Sequence, residues 1–304
     1  MKLNKQSHFE TPILFMIFNR EKCAIKVFST IRRIRPKYLY IASDGARDSI
    51  EDESNIVANL RVKIINKIDW PCECKTLFRE KNLGCKVAVS DAITWFFDQE
   101  SEGIILEDDC LPEPSFFKFC EQMLIKFRHD SRIAMVSGNN FHSTSVEESY
   151  YFTKYVHIWG WATWKRSWAL YDINLTDWPV ARKFLLNDIF KKSITRVLWH
   201  RNFKKCFYNK IDTWDYQWVY SIWMNSMLCI APNVNLVKNI GFDFRATHTK
   251  NSTIFANVSF KKIKFPLIHP KNTLRNSKMD SKEELMELPG VFDALKFFIR
   301  KLIR

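Results

Sequence analysis

The chain has 304 residues, of which 46% are hydrophobic and 26% are charged, close to the average for a globular protein. This composition excludes a chain that is disordered throughout, and no stretch of about 18 apolar residues offers a candidate transmembrane helix. The formal net charge of +14 indicates an anionic partner such as a nucleotide, a lipid or another polyanion.

The first 140 residues alternate between short apolar runs and segments with helical spacing. We predict strands at residues 13–18, 38–42, 75–78, 104–106 and 133–136, and helices at residues 20–34, 51–68, 86–97 and 114–127. This alternation is typical of a mostly parallel sheet with helices on both faces, so we expect an α/β fold.

The first apolar run follows the charged N-terminus and is about eight residues long, which is short for a signal peptide. It ends at Asn19 and Arg20 without a small-residue cleavage site, so it indicates a buried strand. We therefore expect a cytoplasmic protein.

Polar residues follow four of the predicted strands at the points where those strands end. They are Asn19 and Arg20, Asp44 and Gly45, Glu107 to Asp109, and Ser137 and Gly138. Because the carboxyl ends of parallel strands share one edge of a sheet, where ligands bind, we expect these residues to converge there.

Three consecutive acids, Glu107, Asp108 and Asp109, form the strongest local signal. After a buried strand their mutual repulsion costs stability unless a cation compensates, and Mg²⁺ or Mn²⁺ prefers such oxygen ligands. The triplet is equally compatible with a solvated acidic turn ahead of Pro112. The sequence contains no P-loop and no G-x-G-x-x-G, so the phosphates of a nucleotide would be held by metal and cationic side chains.

The second half of the chain has a different character. Residues 150–255 are rich in tryptophan, and Trp161, Trp164 and Trp168 have a near-helical spacing that favours packing in the core. Beyond them the chain is a basic tail with a predicted amphipathic helix over residues 291–304. That helix suits an anionic membrane surface, and equally a contact with the protein's own sheet or another subunit.

The chain resembles the metal-dependent GT-A glycosyltransferases, in particular the N-acetylglucosaminyltransferase I type and its bacterial relatives. The segments that carry the resemblance are IFNREKCAIKVFSTIRRIRP, LYIASDG, GIILEDDCLPEPSFFKFCEQML, WGWATWKRSW, TWDYQWVYSIWMN and NLVKNIGFDFRATHT. The resemblance implies a Rossmann-like GT-A domain over residues 1–255, with a nucleotide-sugar half at about 12–140 and an acceptor half at about 141–255. Residues 256–304 would be the tail.

The resemblance also implies roles for individual residues in binding the donor. Arg20 and Asp44 match positions that contact the nucleotide base and ribose, and Asp108 and Glu107 match positions near the ribose and donor sugar. Asp109 matches the direct metal ligand. Taken without the resemblance, Arg20 could instead pair with an acid nearby in the sequence, such as Glu21 or Glu51.

Three further residues receive roles in the same way. Asp215 falls where the family places its general base, His248 where many members place a late ligand for metal or diphosphate, and Lys86 near a donor-site loop as a phosphate contact. Here the acids near Trp214 are not spaced as in the animal enzymes, so Asp212 is an alternative base. Without the resemblance, Asp215 could simply cap a helix.

The expected function is therefore a metal-dependent, inverting glycosyltransferase that uses Mn²⁺ or Mg²⁺. Its donor would be a nucleoside diphosphate sugar, a UDP-sugar above all, and its acceptor a glycan or a lipid-linked sugar of a bacterial surface polysaccharide. A sugar-phosphate nucleotidyltransferase is one alternative, although the Gly- and Arg-rich loop typical of that class is missing after the first strand. A non-enzymatic, basic polyanion-binding protein is another. We expect no nucleic acid partner, because no recognised binding module accompanies the basic residues.

Overall fold

The computed structural model describes residues 9–142, 146–241 and 258–287. Its strands are β1 (Ile13–Ile17), β2 (Tyr38–Ser43), β3 (Glu73–Phe78), β4 (Glu102–Glu107), β5 (Cys110–Pro112), β6 (Ile133–Ser137), β7 (Tyr150–Thr153), β8 (Trp161–Trp164), β9 (Leu228–Pro232) and β10 (Val237–Asn239). Its helices are α1 (Glu21–Ile34), α2 (Glu53–Ile65), α3 (Gly84–Gln99), α4 (Ser115–Phe127), α5 (Lys165–Trp168), α6 (Trp178–Ala181), α7 (Leu185–Ile189), α8 (Ser193–Phe207), α9 (Asp215–Met224) and α10 (Ser277–Glu287).

Eight strands form one twisted layer in the order β3-β2-β1-β4-β8-β6-β9-β7. Strands β1 to β4 pair in parallel, and β6 pairs in parallel with β9. Strand β8 is antiparallel to both β4 and β6, and β7 is antiparallel to β9. Six of the eight strands therefore run in one direction, which confirms the expected α/β fold with a mostly parallel sheet.

Helices cover both faces of this sheet. In β1, Ile13 and Phe15 pack in the core that contains α1, α2 and α4, whereas Leu14 packs in the core that contains α3, α8 and α9. Burial on both sides explains why β1 appears in the sequence as an unbroken apolar run rather than an alternating one.

The tryptophan-rich segment contributes an unpredicted strand. Trp161 and Trp164 are the two ends of β8, and Trp168 closes the short helix α5. All three are buried, so the prediction that they pack in the core is confirmed. A spacing of three residues, which resembles that of a helix, places Trp161 and Trp164 on opposite faces of a strand. Both are buried because this strand is covered on both sides.

Residues 258–287 pack against α4 and against the sheet edge formed by β7. The amide of Ile263 donates to Ser115 Oγ at 3.1 Å, and Thr153 Oγ1 donates to Asp280 Oδ1 on α10 at 2.6 Å. The sequence-based division had assigned these residues to the tail. His248 and the predicted helix 291–304 lie outside the described residues. Within residues 9–142, 146–241 and 258–287, no helix has the length and apolar character needed to span a bilayer.

Candidate active site

A cleft of about 600 Å³ opens where β1, β2 and β4 end. Six residues to which the resemblance assigns a role line it: Arg20, Asp44, Glu107, Asp108, Asp109 and Asp215, and the alternative base Asp212 lines it as well. The first five come from the strand ends of the parallel part of the sheet, and Asp215 comes from the start of α9. The expected convergence is thus present for the residues that follow β1, β2 and β4. Ser137 and Gly138, at the end of β6, do not line the cleft, because β8 lies between β4 and β6.

The acidic triplet forms the floor of the cleft. Glu107 is the last residue of β4, and the buried Asp108 accepts the amide of Phe18 through Oδ2 at 3.0 Å. Asp109 Oδ2 pairs with Arg20 Nη1 at 2.5 Å. The amide of Ile240, directly after β10, donates to the Asp109 carbonyl at 2.8 Å, so the β5–β10 pairing brings the second half of the chain onto the triplet.

More negative charge gathers here than Arg20 balances. Burial, together with the charges of Asp109, Asp108 and Asp215, raises the pKa of Glu107 to about 8 against the opposing effect of Arg20. Burial and Asp109 likewise raise the pKa of Asp108 to about 7. Carboxyl groups that hold their protons this strongly are in a setting that favours an additional cation.

The donor chemistry fits a hard divalent ion shared with a substrate. In the described part of the chain, no three His, Cys, Asp or Glu side chains are grouped so that they could hold an ion by themselves. Mg²⁺, however, is usually bound by one or two carboxylates together with substrate phosphates and water. Asp109 supplies such a carboxylate within the crowded acidic group, and the predicted ligand His248 lies outside the described residues.

Asp44 organises the neighbouring wall of the cleft. Its carboxylate accepts the amides of Gly45 and Leu83 at 3.0 Å and of Gly84 at 3.2 Å. Burial raises the pKa of Asp44, and these three amide donors partly oppose that effect. Gly45 is required here, because a Cβ atom would collide with the backbone of Lys81.

A second polar network, which no motif in the sequence indicates, lies beside Asp44. Glu53 is only 1% exposed and accepts Asn19 Nδ2 at 2.7 Å and Arg47 Nη2 at 2.5 Å. The Arg47 guanidinium lies 5.5 Å from the centre of the Phe18 ring. Phe18, Asn19 and Arg47 all line the cleft. Glu53 therefore orients two cleft residues, Asn19 and Arg47, and no local sequence motif predicts this role.

The two candidate bases differ in their surroundings. Asp215 lines the cleft, and its Oδ1 accepts the Tyr216 amide at 2.9 Å and the Thr213 hydroxyl, while Oδ2 accepts no hydrogen bond from the described residues. Asp212 accepts the amides of Cys85 and Lys86, both at 2.8 Å, and so caps the first turn of α3. Asp215 is thus oriented with one oxygen available, whereas both oxygens of Asp212 are engaged.

Lys86, unlike the six predicted residues above, does not line the cleft. It lies in the first turn of α3, and its ammonium donates to Asn209 Oδ1 at 2.8 Å. Among the cations in the described residues that do line the cleft are Arg20, Arg47, Arg79 and Lys205.

Comparison with known proteins assigns no family to the chain. No family model matches it, and no curated protein matches it. Among solved structures, HddC from Yersinia pseudotuberculosis is similar over 51% of this chain and 77% of its own, with 10% sequence identity and a TM-score of 0.32. A similarity of that size defines neither a family nor an activity.

Proposed function

We propose that this protein is a metal-dependent GT-A glycosyltransferase that moves a sugar from a nucleoside diphosphate sugar to a hydroxyl group of a glycan or lipid-linked acceptor. A UDP-sugar is the first donor to test, and the product would belong to a bacterial surface polysaccharide. The observation that carries the proposal is that Arg20, Asp44, the acidic triplet and Asp215 line one cleft at the strand ends. The resemblance had assigned complementary roles to these residues from separate parts of the sequence.

Different residues of the cleft would bind different parts of the donor. Asp44, with Phe18 and Arg47 beside it, would receive the base and ribose, and Asp108 and Glu107 would lie along the ribose and sugar. Asp109 would hold Mn²⁺ or Mg²⁺, which when bound neutralises the charge on the departing diphosphate. Arg20, which the resemblance assigned to the base and ribose, is paired with Asp109, so it would instead add a fixed positive charge beside the diphosphate.

Asp215 would take the proton from the acceptor hydroxyl as that hydroxyl attacks the anomeric carbon. General base catalysis requires a carboxylate within hydrogen-bond reach of the nucleophile, and the Oδ2 atom of Asp215, in the cleft lining, would supply it. Attack in line with the departing diphosphate inverts the anomeric configuration, so no protein nucleophile and no covalent intermediate are needed.

The proposal is tested by incubating the protein with Mn²⁺ and a panel of UDP-, GDP- and CMP-sugars and measuring slow hydrolysis of the donor. We expect one class of donor to release its nucleoside diphosphate, and Asp109→Asn to abolish most of this activity because the diphosphate loses its bridging cation. Asp98→Asn, which changes an exposed acid on α3, is the matched control and should behave as wild type.

Two outcomes would count against the proposal. Full activity in excess EDTA would remove the role given to the metal. Release of pyrophosphate from a nucleoside triphosphate and a sugar phosphate, with no hydrolysis of any sugar nucleotide, would identify a nucleotidyltransferase instead.

A further inference from the structure

Positive charge is concentrated in one part of the molecule beside the cleft. Between residues 182 and 210 the chain carries nine Lys or Arg side chains and a single acid, Asp188. More than half of the net charge of +14 therefore lies in less than a tenth of the chain. We call the region formed by residues 178–210, which contains α6, α7 and α8, the basic lobe.

Several cations of the basic lobe face solvent without an acidic partner among the described residues. Arg182, Lys183, Lys204 and Lys210 are exposed, and none of them forms an ion pair with an acid in the described part of the chain. By contrast, arginines elsewhere on the surface, such as Arg32 and Arg128, each pair with an acid. The lobe is thus built to attract an anionic partner.

Large apolar side chains are exposed among these cations. Val180 is 63% exposed, Phe184 47%, Val197 60% and Tyr208 55%. Along α8 and the residue that follows it, Val197, Arg201, Lys204 and Tyr208 recur at i, i+4, i+7 and i+11 and are all exposed. That spacing places an apolar and cationic mixture on one face of the helix.

The segments of the lobe are packed together. The Trp178 ring lies 5.2 Å from the His200 ring and 5.4 Å from the Phe203 ring, which anchors residues 178–184 on α8. Burial, with the charges of Arg182 and Lys204, lowers the pKa of His200, so each of these cations lies near that ring.

The same helix also reaches the cleft. Asn202 and Lys205 of α8 line it, on the wall from which α9 presents Asp215. The exposed face of α8 and the cleft-lining face are therefore neighbours on a single helix. Whatever the lobe binds will be held close to the acceptor end of the cleft.

We propose that the basic lobe docks the protein on an anionic lipid bilayer. Its cations would meet lipid phosphates, and Phe184, Val180 and Val197 would enter the interfacial layer. A soluble polyanion would use the cations but would leave the exposed apolar side chains without a role. Docking in this way would hold the cleft at the bilayer surface, where a lipid-linked acceptor resides, and it does not depend on which reaction the cleft performs.

Vesicle flotation of the full chain tests this docking. At about 0.1 M salt, where charges act over roughly 10 Å, wild type should float with vesicles of phosphatidylglycerol and phosphatidylcholine but not with phosphatidylcholine alone. The triple variant Arg182→Gln, Lys183→Gln, Lys204→Gln should bind the anionic vesicles about a hundredfold more weakly, at roughly fivefold per cation. The triple variant Lys261→Gln, Lys262→Gln, Lys264→Gln removes the same charge at exposed positions outside the lobe and should bind like wild type.

A second pair of measurements separates lipid from soluble polyanions. The variant Phe184→Ser, Val197→Ser keeps every charge, so it should lose vesicle binding while still binding polyphosphate as wild type does. If the variant lost vesicle binding and polyphosphate binding equally, the substitutions would have damaged a polyanion site, and the lipid proposal would be overturned. Flotation of the lobe triple variant at wild-type levels would also overturn it, because another part of the chain would then be the anchor. Thermal unfolding of each variant, expected to match wild type, checks that these surface changes leave the fold intact.

Discussion

Asp212 and Asp215 lie three residues apart but face different tasks. Both carboxylate oxygens of Asp212 accept hydrogen bonds from the first turn of α3. Within the described residues, only one oxygen of Asp215 accepts hydrogen bonds, from Thr213 and Tyr216. The general base assigned by resemblance is therefore also the acid whose geometry leaves it able to accept a proton in the cleft.

Asp215→Asn should reduce turnover by about a hundredfold or more, the usual loss when a general base is removed. Its affinity for the donor nucleotide should stay near wild type, because Asp215 would act on the acceptor. Steady-state kinetics with separate measurement of nucleotide binding would check both statements.

The matched change is Asp212→Ala. It should lower the free energy of unfolding by about 1 kcal/mol through loss of the cap, with a much smaller effect on turnover. If turnover survives in Asp215→Asn and collapses in Asp212→Asn, which retains a capping side chain, the two assignments must be exchanged.

Helix α10 attaches to the sheet through buried charged groups rather than an apolar stripe. Glu283 is 3% exposed and contacts His142 Nε2 at 2.7 Å and His157 Nε2 at 3.2 Å. The His157 ring lies 4.9 Å from Phe141, which lies 5.3 Å from the cleft-lining Trp159. The attachment of α10 is thus connected, through packed rings, to one wall of the cleft.

This attachment should respond to acid. Burial raises the pKa of Glu283, but His157 and His142 outweigh that effect and bring it to about 2. Because this value lies below the roughly 4.3 of an unfolded chain, Glu283 stabilises the fold above about pH 4.3 and loses that contribution as the pH falls towards 2.

Glu283→Gln should therefore cost about 2–3 kcal/mol of unfolding free energy at pH 5 and much less near pH 2. Urea unfolding at the two pH values would measure this difference. Glu147→Gln, at an exposed acid, is the control and should leave stability unchanged at both. A Glu283→Gln deficit that is equal at pH 5 and pH 2 would contradict the ion-pair account.

The cleft joins the parallel strand ends to a wall supplied by α8 and α9, so a ligand filling it should stabilise the entire fold. At a concentration of 100 times its dissociation constant, UDP with Mn²⁺ should add about 2.7 kcal/mol, which raises the melting temperature by about 5 °C. Uridine with Mn²⁺ lacks the diphosphate and should have little effect. Differential scanning fluorimetry would show this, and an equal UDP shift in EDTA would argue against a shared metal ion.

Local patterns in the sequence predicted much of the sheet. The apolar runs that became β1, β2, β4 and β6 are recognisable because strands buried on both faces need continuous apolar residues, whereas β3, at the edge of the sheet, is mostly exposed. Their polar ends could be assigned to one edge, since parallel strands end on the same side of a sheet. The cleft therefore followed from composition and order along the chain, and the roles within it came from the resemblance.

Other features depended on partners far away in the chain. Arg20 pairs with Asp109, 89 residues distant, whereas its neighbour Glu21 pairs with Lys63. The insertion of β8 between β4 and β6 requires antiparallel pairing with two strands that no local spacing in residues 161–164 specifies.

The basic lobe also combines features that are local in the sequence with features that depend on tertiary contacts. Its composition was visible in the sequence, but helical spacing alone could not say which apolar side chains of residues 178–210 would be buried. Trp178 and Phe203 pack together, while Val197 and Phe184 remain at the surface. Whether a side chain is buried depends on which neighbouring elements pack over it. The sequence by itself therefore determined most strands and helices of the first 140 residues and the polar residues that end those strands. Only tertiary packing decided where β8 inserts, which side chains meet and which face solvent.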